Sequence, residues 1–265
     1  MPMTSHVKSE IDGAIGIVTL ANADKHNAFD DVLIAELTGT LRKLDADSGV
    51  RVVILSASGK SFSAGADLNW MKRMAGYSQE ENLQDAQGLG NLMSTLHGLG
   101  KPTIARVQGA AYGGGVGLVA CCDMAVGTQA ASFSLSEVRL GLIPAVISPY
   151  VIAAIGERAA HRYFLTAERF NAAEALRLGL LHELCADDVA MDEKIQDLIT
   201  ALLSCGPQAI REGKQLVAAV ANRPIDETLV METAQRIARV RGSDEGREGV
   251  SAFLEKRKAL WVVEK

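Results

Sequence analysis

Four of the five positions from 113 to 117 are glycine, between a predicted strand and a predicted helix, so a ligand can approach this backbone closely. One candidate is a dinucleotide, because Gly115, Gly117 and Ala120 fit the G-x-G-x-x-G/A fingerprint and Glu137 follows Gly117 by twenty residues. The other candidate is an acyl oxygen that gains negative charge, since unpaired N–H groups at a helix start stabilise an oxyanion.

A second small-residue turn, "SFSAGADL", lies about fifty residues upstream and also runs into a predicted helix. A dinucleotide site needs only one such turn, whereas two turns can direct their N–H groups at one oxygen. The dinucleotide fingerprint also normally opens the first βαβ unit, but about a hundred residues of α/β pattern precede the glycines here. The two turns therefore predict an oxyanion hole built from main chain.

The segments around these turns predict an α/β fold. Apolar strand-like runs such as "VRVVILSAS" and "PTIARVQ", the second taken as the strand before the glycines, alternate with amphipathic helices to about residue 185. Ser78 and Glu81 fit a capping box that starts a helix extending to about His97. Beyond residue 185 the strand pattern stops and four consecutive helices are predicted, which indicates a unit for packing or oligomerisation.

Composition argues against several functional classes. The 265 residues carry a net charge of −5 at pH 7, so the excess of Lys and Arg that a phosphate-backbone binder needs is absent and no nucleic-acid partner is expected. No apolar run is long enough to span a bilayer and no signal-peptide core occurs, so neither a membrane partner nor export is expected. The four cysteines lack C-x-x-C spacing, which fits a cytoplasmic protein, and the five histidines lack ligand spacing, so neither a metal nor a redox cofactor is expected.

Several motifs carry a resemblance to a known family. The segments "FSAGADL", "QGAAYGGGVGL" with the "CD" that follows, and "FSLSEVRLGLIP" resemble the crotonase, or enoyl-CoA hydratase/isomerase, superfamily. The resemblance implies a crotonase-type spiral of ββα repeats over residues 1–200 and a C-terminal helical trimerisation region over residues 201–265. It also implies assembly as a homotrimer or a dimer of trimers, and an acyl-CoA substrate that brings its own coenzyme A, with no separate cofactor.

The resemblance also assigns roles to individual residues. The backbone N–H groups of Ala66 and Gly114 match the family's oxyanion hole, and a side chain at Gly114 is expected to crowd the thioester. The basic end of the tail helix matches a coenzyme A contact, but it equally fits a solvated helix terminus that complements the macrodipole. The positions that match coenzyme A contacts are Lys25, Ala64, Ala66 and Leu68 and, from a neighbouring subunit, Phe253 and Lys256.

The chain departs from the family at one acidic position. Two-carboxylate members place one glutamate three residues after the oxyanion glycine and a second in the "SE" segment; here these positions are Gly117 and Glu137. Glu137 follows the semi-apolar "SFSLS", so partial burial is expected to raise its proton affinity. One carboxylate leaves three functions open: a hydratase that uses one water, an enoyl-CoA isomerase that uses Glu137 alone, and a protein that binds acyl-CoA without turnover.

The segment "SEVRLGLIPAVISPYV" is similar to bacterial hydratases of 3-methylglutaconyl-CoA or isohexenylglutaconyl-CoA, which serve leucine or acyclic terpene degradation. This similarity favours a lyase that adds water to a β-branched glutaconyl-type thioester. Gly117 fits such a substrate, because a glutamate there would compete with a branch on the β-carbon. Gly117→Glu is therefore expected to raise activity toward small unbranched substrates where the pocket has room.

Other side chains near the motifs have both a functional and a structural interpretation. Arg139 is a candidate partner for the distal carboxylate of a glutaconyl group. Asp67 and Asp123 are expected to hold their turns through backbone N–H groups. The residues expected to line the acyl pocket, or else to belong to the core or the scaffold, are Trp70, Met74, Tyr112 and Arg139.

Overall fold

The computed structural model describes residues 5–262, in which ten strands form two sheets and ten α-helices surround them or follow them. The strands are β1 (Val7–Asp12), β2 (Ile15–Leu20), β3 (Val52–Ala57), β4 (Ser61–Ala64), β5 (Thr103–Val107), β6 (Ala110–Tyr112), β7 (Met124–Thr128), β8 (Ser132–Ser134), β9 (Phe170–Asn171) and β10 (Glu183–Cys185). The helices are α1 (Asp31–Ala46), α2 (Leu68–Met74), α3 (Gln79–His97), α4 (Gly114–Cys121), α5 (Ser148–Thr166), α6 (Ala172–Leu178), α7 (Asp188–Ser204), α8 (Pro207–Val220), α9 (Glu227–Gly242) and α10 (Asp244–Leu254). Two short 3₁₀ turns cover Ala23–Lys25 and Glu137–Leu140.

The strand order follows a repeating ββα path. The larger sheet has the order β1-β2-β3-β5-β7-β10, with an antiparallel β1–β2 hairpin and parallel pairs after it, and the smaller sheet has the order β4-β6-β8-β9. The pairs β3–β4, β5–β6 and β7–β8 each place their first strand in the larger sheet and their second in the smaller one, before the chain enters a helix. This path confirms the predicted spiral of ββα repeats.

The strands of the two sheets differ in how easily they are recognised from the sequence. β3 lies inside the larger sheet and carries the continuous apolar run Val52–Leu55, which is typical of a parallel strand covered on both faces. The smaller sheet uses short strands of mostly small residues. "SFSAGADL" therefore begins with strand β4 and not with a turn, and β6, not "PTIARVQ", directly precedes the glycines. Strands of three or four small residues carry no alternating pattern that would reveal them.

Capping positions fix where the helices begin. Asp30 accepts a hydrogen bond from Leu33 N at 2.8 Å and starts α1, which buries Leu37 and Leu41. Ser78 and Glu81 form the predicted capping box at the start of α3. These caps fix the first residues of α1 and α3, which pack against each other.

The described chain divides into two compact units. The larger unit runs to Gln196, except for Gly100–Pro102, and the smaller unit takes those three residues and continues from Asp197. The four helices predicted beyond residue 185 are present as α7 to α10, while the predicted boundary at residue 200 stays a prediction. Within the smaller unit, Glu245 caps α8 by accepting hydrogen bonds from the backbone of Gln208 and Ala209. No helix in residues 5–262 is both long enough and apolar enough to cross a membrane.

Candidate active site

The first turn of the site lies between β4 and α2 and is held by the segment at Phe29. Phe29 N–H donates to Gly65 O at 2.7 Å, and Asp67 N–H donates to Phe29 O at 2.8 Å. These two bonds flank Ala66, so the N–H of Ala66 points to the opposite side. It has no acceptor within residues 5–262. Gly65 has φ of +88°, a conformation in which glycine avoids the strain of a side chain.

Asp67 closes this turn as a structural carboxylate. One of its oxygens accepts hydrogen bonds from Asn69 N at 2.8 Å and Trp70 N at 3.1 Å and so caps α2. Its other oxygen lies 2.9 Å from Lys25 Nζ. The hydrogen bond from Lys25 holds the pKa of the Asp67 carboxyl below its usual range. The predicted turn-holding role of Asp67 is confirmed.

The second turn lies between β6 and α4. Gly113 adopts φ of +54° and ψ of −119°, a conformation suited to glycine, and its N–H donates to Ser134 O at 2.9 Å. Its carbonyl oxygen accepts hydrogen bonds from Val116 N and Gly117 N. Gly114 is the first residue of α4, and its N–H has no acceptor in the described part of the chain.

Glu137 meets both glycine turns. A Cβ atom placed on Gly113 would lie 3.2 Å from Glu137 Oε1 and 3.9 Å from the Cα of Gly65. The chain segments that carry the N–H groups of Ala66 and Gly114 and the carboxyl of Glu137 therefore meet in one place. This is the constellation that the sequence predicted, and it offers two N–H donors and one acid.

The Glu137 carboxyl is buried without full hydrogen bonding. Its Oε2 atom is inaccessible to solvent and has no partner in residues 5–262. Burial raises the pKa of this carboxyl above its usual range. A buried acid that lacks a hydrogen-bond partner costs folding free energy, and such an acid beside two glycine turns is typical of a group kept for proton transfer.

Replacing Glu137 by Gln is expected to stabilise the fold at neutral pH. Because the folded pKa is raised, the folded state binds more protons than the unfolded state above the ordinary value of 4.5, so wild-type stability falls as the pH rises through this window. Glu137→Gln removes this loss, and urea unfolding at pH 4 and pH 7.5 should show a gain only at the higher pH. Glu81→Gln is the control with opposite sign, since hydrogen bonds from Ser78 lower the pKa of Glu81. A Glu137→Gln effect that does not vary with pH would contradict this interpretation.

The space beside Gly117, where the family pattern has a glutamate, is occupied by other side chains of the chain. This packing corrects the expectation of an open space at Gly117. A Cβ atom on Gly117 would lie 2.9 Å from the Cβ of Ile147 and 3.2 Å from Met93 Cε, and closer still to Ile147 Cγ2. Ile147 is 2% exposed and Met93 is fully buried. The glycine therefore accommodates a close approach of α4 to the start of α5 and leaves no room for a substrate branch along this direction.

Gly117→Glu is consequently expected to lose stability and to gain no activity. The new side chain overpacks a dense region, at a cost of about 1–3 kcal/mol, and brings a charge into it. Urea unfolding and hydration rates with crotonyl-CoA measure both effects. Gly39→Glu is the matched control, because nothing lies within 4 Å of a Cβ at Gly39 on α1. Adding Ile147→Ala to Gly117→Glu should recover part of the lost stability; a Gly117→Glu single variant as stable as wild type would show that Ile147 yields easily.

Gly114 is packed against another side chain of the protein, which its predicted role as an oxyanion donor did not require. A Cβ on Gly114 would meet the Phe29 ring, 3.0 Å from Cε2, whereas the sequence predicted crowding of the thioester. Gly115 is equally constrained, since a Cβ there would lie 2.5 Å from Ser63 O. Neither Phe29 nor Ile147 was predicted from the sequence to contact these glycines.

The residues proposed for the acyl pocket take different places. Trp70 is 5% exposed and its indole N–H donates to Asp85 at 3.0 Å, which makes it a core residue that joins α2 to α3. Met74 is partly buried against the core. The hydroxyl of Tyr112 hydrogen-bonds to Ser132, and the guanidinium of Arg169 lies over its ring. The burial of Trp70 agrees with the core interpretation, while its pocket role stays a prediction.

Most of the remaining predicted residues are exposed or half-buried, and one of them, Asp123, has a structural role. Arg139 is exposed on the 3₁₀ turn that begins with Glu137. Leu68 is 73% exposed, and Ala64 is half-buried at the end of β4. In the smaller unit, Phe253 and Lys256 are exposed near the end of α10. Asp123 accepts hydrogen bonds from the backbone and hydroxyl of Thr103, as expected of a structural carboxylate.

The sequence and the fold are similar to those of known proteins. The model of a family described as enoyl-CoA hydratase/isomerase matches residues 10–264. An enoyl-CoA hydratase from Shewanella pealeana is 48% identical, with a TM-score of 0.94 and coverage of 97% of this chain and 96% of its own. A Legionella pneumophila protein, provisionally named enoyl-CoA hydratase/isomerase (crotonase), is 49% identical with a TM-score of 0.91, and the match covers 97% and 99% of the two chains. A Thermus thermophilus protein, provisionally named enoyl-CoA hydratase, is 33% identical over 92% of this chain and 96% of its own.

Proposed function

Because the chain belongs to the enoyl-CoA hydratase/isomerase family, we propose that it adds water across the double bond of a 2-enoyl-CoA thioester. The observation that carries this proposal is the meeting of two glycine turns and the carboxyl of Glu137: within residues 5–262, each turn has an N–H group without an acceptor, and the buried Oε2 of Glu137 has no partner. A thioester carbonyl needs donors on its oxygen, and hydration needs one group that takes and returns a proton.

The two N–H groups serve the carbonyl oxygen of the thioester. Addition of hydroxide at the β-carbon moves negative charge onto this oxygen, and the N–H groups of Ala66 and Gly114 donate to it. Gly114 adds the positive end of the α4 dipole, because it is the first residue of that helix. These groups are fixed before substrate binds, so little reorganisation is needed when the charge develops.

Glu137 carries out both proton transfers of the reaction. As a carboxylate it accepts a proton from water while the hydroxyl adds to the β-carbon, and the resulting acid then gives that proton to the α-carbon. One H–O bond of water and the π bond of the alkene break, one C–O and one C–H bond form, and Glu137 returns to its starting state. The raised pKa of Glu137 suits a group that must hold the proton between the two steps.

An isomerase is the second candidate, and the single carboxylate is the observation that favours it. Glu137 takes a proton from one carbon and returns it to another, while the same two N–H groups stabilise the dienolate between the steps. Neither reaction uses an acid at position 117, where Ile147 packs against Gly117. A binding protein without turnover is the third candidate.

For the substrate we propose a β-branched glutaconyl-type thioester of leucine or acyclic terpene degradation. The support is the similarity of the segment around Glu137 to hydratases of that group, together with the exposed guanidinium of Arg139 two residues further on. The packing of Ile147 removes the argument from open space at Gly117. Coenzyme A is proposed to lie near Ala64 and Leu68, with Phe253 and Lys256 supplied by a neighbouring subunit of a homotrimer or a dimer of trimers.

The test is a panel of enoyl-CoA thioesters followed by loss of the conjugated thioester absorbance. Hydration of 3-methylglutaconyl-CoA in preference to crotonyl-CoA supports both the reaction and the substrate class, and Arg139→Ala should weaken that preference. Hydration with a preference for crotonyl-CoA would retain the reaction and overturn the substrate class. Turnover of 3-enoyl substrates alone would establish the isomerase, and tight binding without turnover would establish a binding protein.

A further inference from the structure

The N–H of Ala66 is held in position by contacts on both sides of this residue, at Gly65 and at Asp67. Asp67 uses its own N–H to bind Phe29 O and its Oδ1 atom to bind two N–H groups at the start of α2. The Ala66 N–H shares its peptide group with Gly65 O, which Phe29 N–H binds, and the Asp67 contacts fix the peptide group that follows, so the Ala66 N–H can turn only if one of these two anchors yields. The direction of the proposed oxyanion donor therefore depends on Asp67 together with Phe29.

Asp67 also brings a negative charge close to the place where an oxyanion forms. The Asp67 side chain is only 9% exposed, so water screens that charge poorly. An unbalanced carboxylate next to the oxyanion hole would oppose charge development on the thioester oxygen. A positively charged group beside the Asp67 carboxylate would offset this opposition.

Lys25 supplies the balancing charge. Its Nζ lies 2.9 Å from Asp67 Oδ2, which leaves Asp67 Oδ1 for the α2 backbone. The neighbouring cation on α2, Arg73, forms its ion pair with Asp31 of α1. Asp30, the other carboxylate near Lys25, caps α1 through Leu33 N. The pairing of charges around this turn thus assigns Lys25 to Asp67.

We infer that Lys25 and Asp67 are a pair of positioning residues for the oxyanion hole: Asp67 orients the Ala66 N–H, and Lys25 cancels the charge that this orientation brings. The inference rests on the proposed function. It differs from the coenzyme A role that the family resemblance suggests for Lys25, because a lysine that binds phosphate changes substrate affinity, whereas one that balances Asp67 changes the rate of the chemical step.

A double-mutant cycle separates these two roles. Lys25→Met removes the charge and keeps the chain length, and it is expected to lower kcat about 10–100-fold while the affinity for acetyl-CoA, measured by calorimetry, stays within about threefold. Asp67→Asn keeps an oxygen for the α2 N–H groups and removes the charge. The variant with both substitutions should therefore turn over faster than Lys25→Met alone. A purely structural ion pair would not produce this rescue of kcat.

A spectroscopic measurement reports on the oxyanion hole without turnover. Hydrogen bonds to the thioester oxygen lower the carbonyl stretching frequency of bound crotonyl-CoA, and Lys25→Met should reduce that shift while Asp67→Asn in the same chain restores part of it. Asp123→Asn is the matched control, because Asp123 binds Thr103 on β5 and should change neither kcat nor the shift.

The outcomes are distinct. If Lys25→Met weakens acetyl-CoA binding with kcat and the carbonyl shift unchanged, Lys25 serves coenzyme A and the inference is wrong. Additive effects of the two substitutions on kcat would equally overturn it. A wild-type protein that shifts the carbonyl frequency but turns over no thioester would overturn the proposed hydratase function while leaving the role of the pair supported by the shift alone.

Discussion

Replacing Glu137 by Gln is expected to lower kcat by about 10²–10⁴ and to leave the affinity for CoA thioesters nearly unchanged. Gln keeps the length and shape of the side chain but cannot accept and return a proton. The residue starts a 3₁₀ turn beside Gly113, so the substitution should leave the backbone of both glycine turns in place. Steady-state kinetics gives kcat, and calorimetry with acetyl-CoA gives the affinity.

Glu81→Gln is the control for replacing a glutamate by a glutamine away from the site. Glutamine preserves the capping box of α3, so both activity and affinity should stay at wild-type values. Near wild-type turnover by Glu137→Gln would remove Glu137 from the proton-transfer role. Because hydratase and isomerase both depend on this carboxylate, the same variant should lose either activity, and the result tests the acid whatever the reaction.

The central strands β3 and β5 of the larger sheet were predictable from the sequence, and the smaller sheet was not. β3 carries an apolar run that is long enough to identify a buried strand, and β5 is short but buries four of its five residues. β6 and β8 have three residues each, with alanine or serine at most positions, and their pairing depends on strands far away in sequence. The smaller sheet nevertheless ends at the glycine turns, so the site was identified before the strands that support it.

The residue types of the site were predictable, but the contacts that constrain them were not. Two turns of small residues that lead into helices are visible in the sequence, and the family resemblance added Glu137. Ile147 lies thirty residues from Gly117, and no local pattern indicates that the two are in contact. The sequence therefore showed that an acid was absent at position 117, and the structure was needed to show what occupies its place.

The packing at Gly117 bears on how Glu137 titrates. No carboxylate at position 117 shares the site, so burial is the cause of the raised pKa and repulsion by a second acid is not. A lone carboxylate titrates as one group, whereas two coupled acids titrate in two steps that belong to the pair. The family pattern has two acids at this site. This chain has one, and burial raises the pKa of that acid.

Gly114→Ala is expected to lower kcat by about 10²–10³, the usual loss for one oxyanion donor. The added methyl would lie 3.0 Å from Phe29 Cε2 and 3.2 Å from two further ring atoms, so the ring or α4 must move. Phe29 is 2% exposed and cannot turn away into solvent. Its backbone also binds Gly65 and Asp67, and displacement of Phe29 would therefore disturb the Ala66 donor as well. Kinetics with the preferred thioester and the carbonyl frequency of bound crotonyl-CoA measure the loss.

Gly39→Ala on α1 is the matched control, because its methyl meets no atom within 4 Å and a helix tolerates alanine better than glycine. Phe29→Leu in the Gly114→Ala chain tests the cause: the smaller side chain makes room for the methyl, so part of kcat should return although Phe29→Leu removes buried surface. Full activity of Gly114→Ala, with an unchanged carbonyl frequency, would show that the Gly114 N–H does not bind the thioester oxygen. If Phe29→Leu restores stability but not kcat, the contact with Phe29 explains why residue 114 is glycine. The loss of kcat in Gly114→Ala would then have a cause other than this contact.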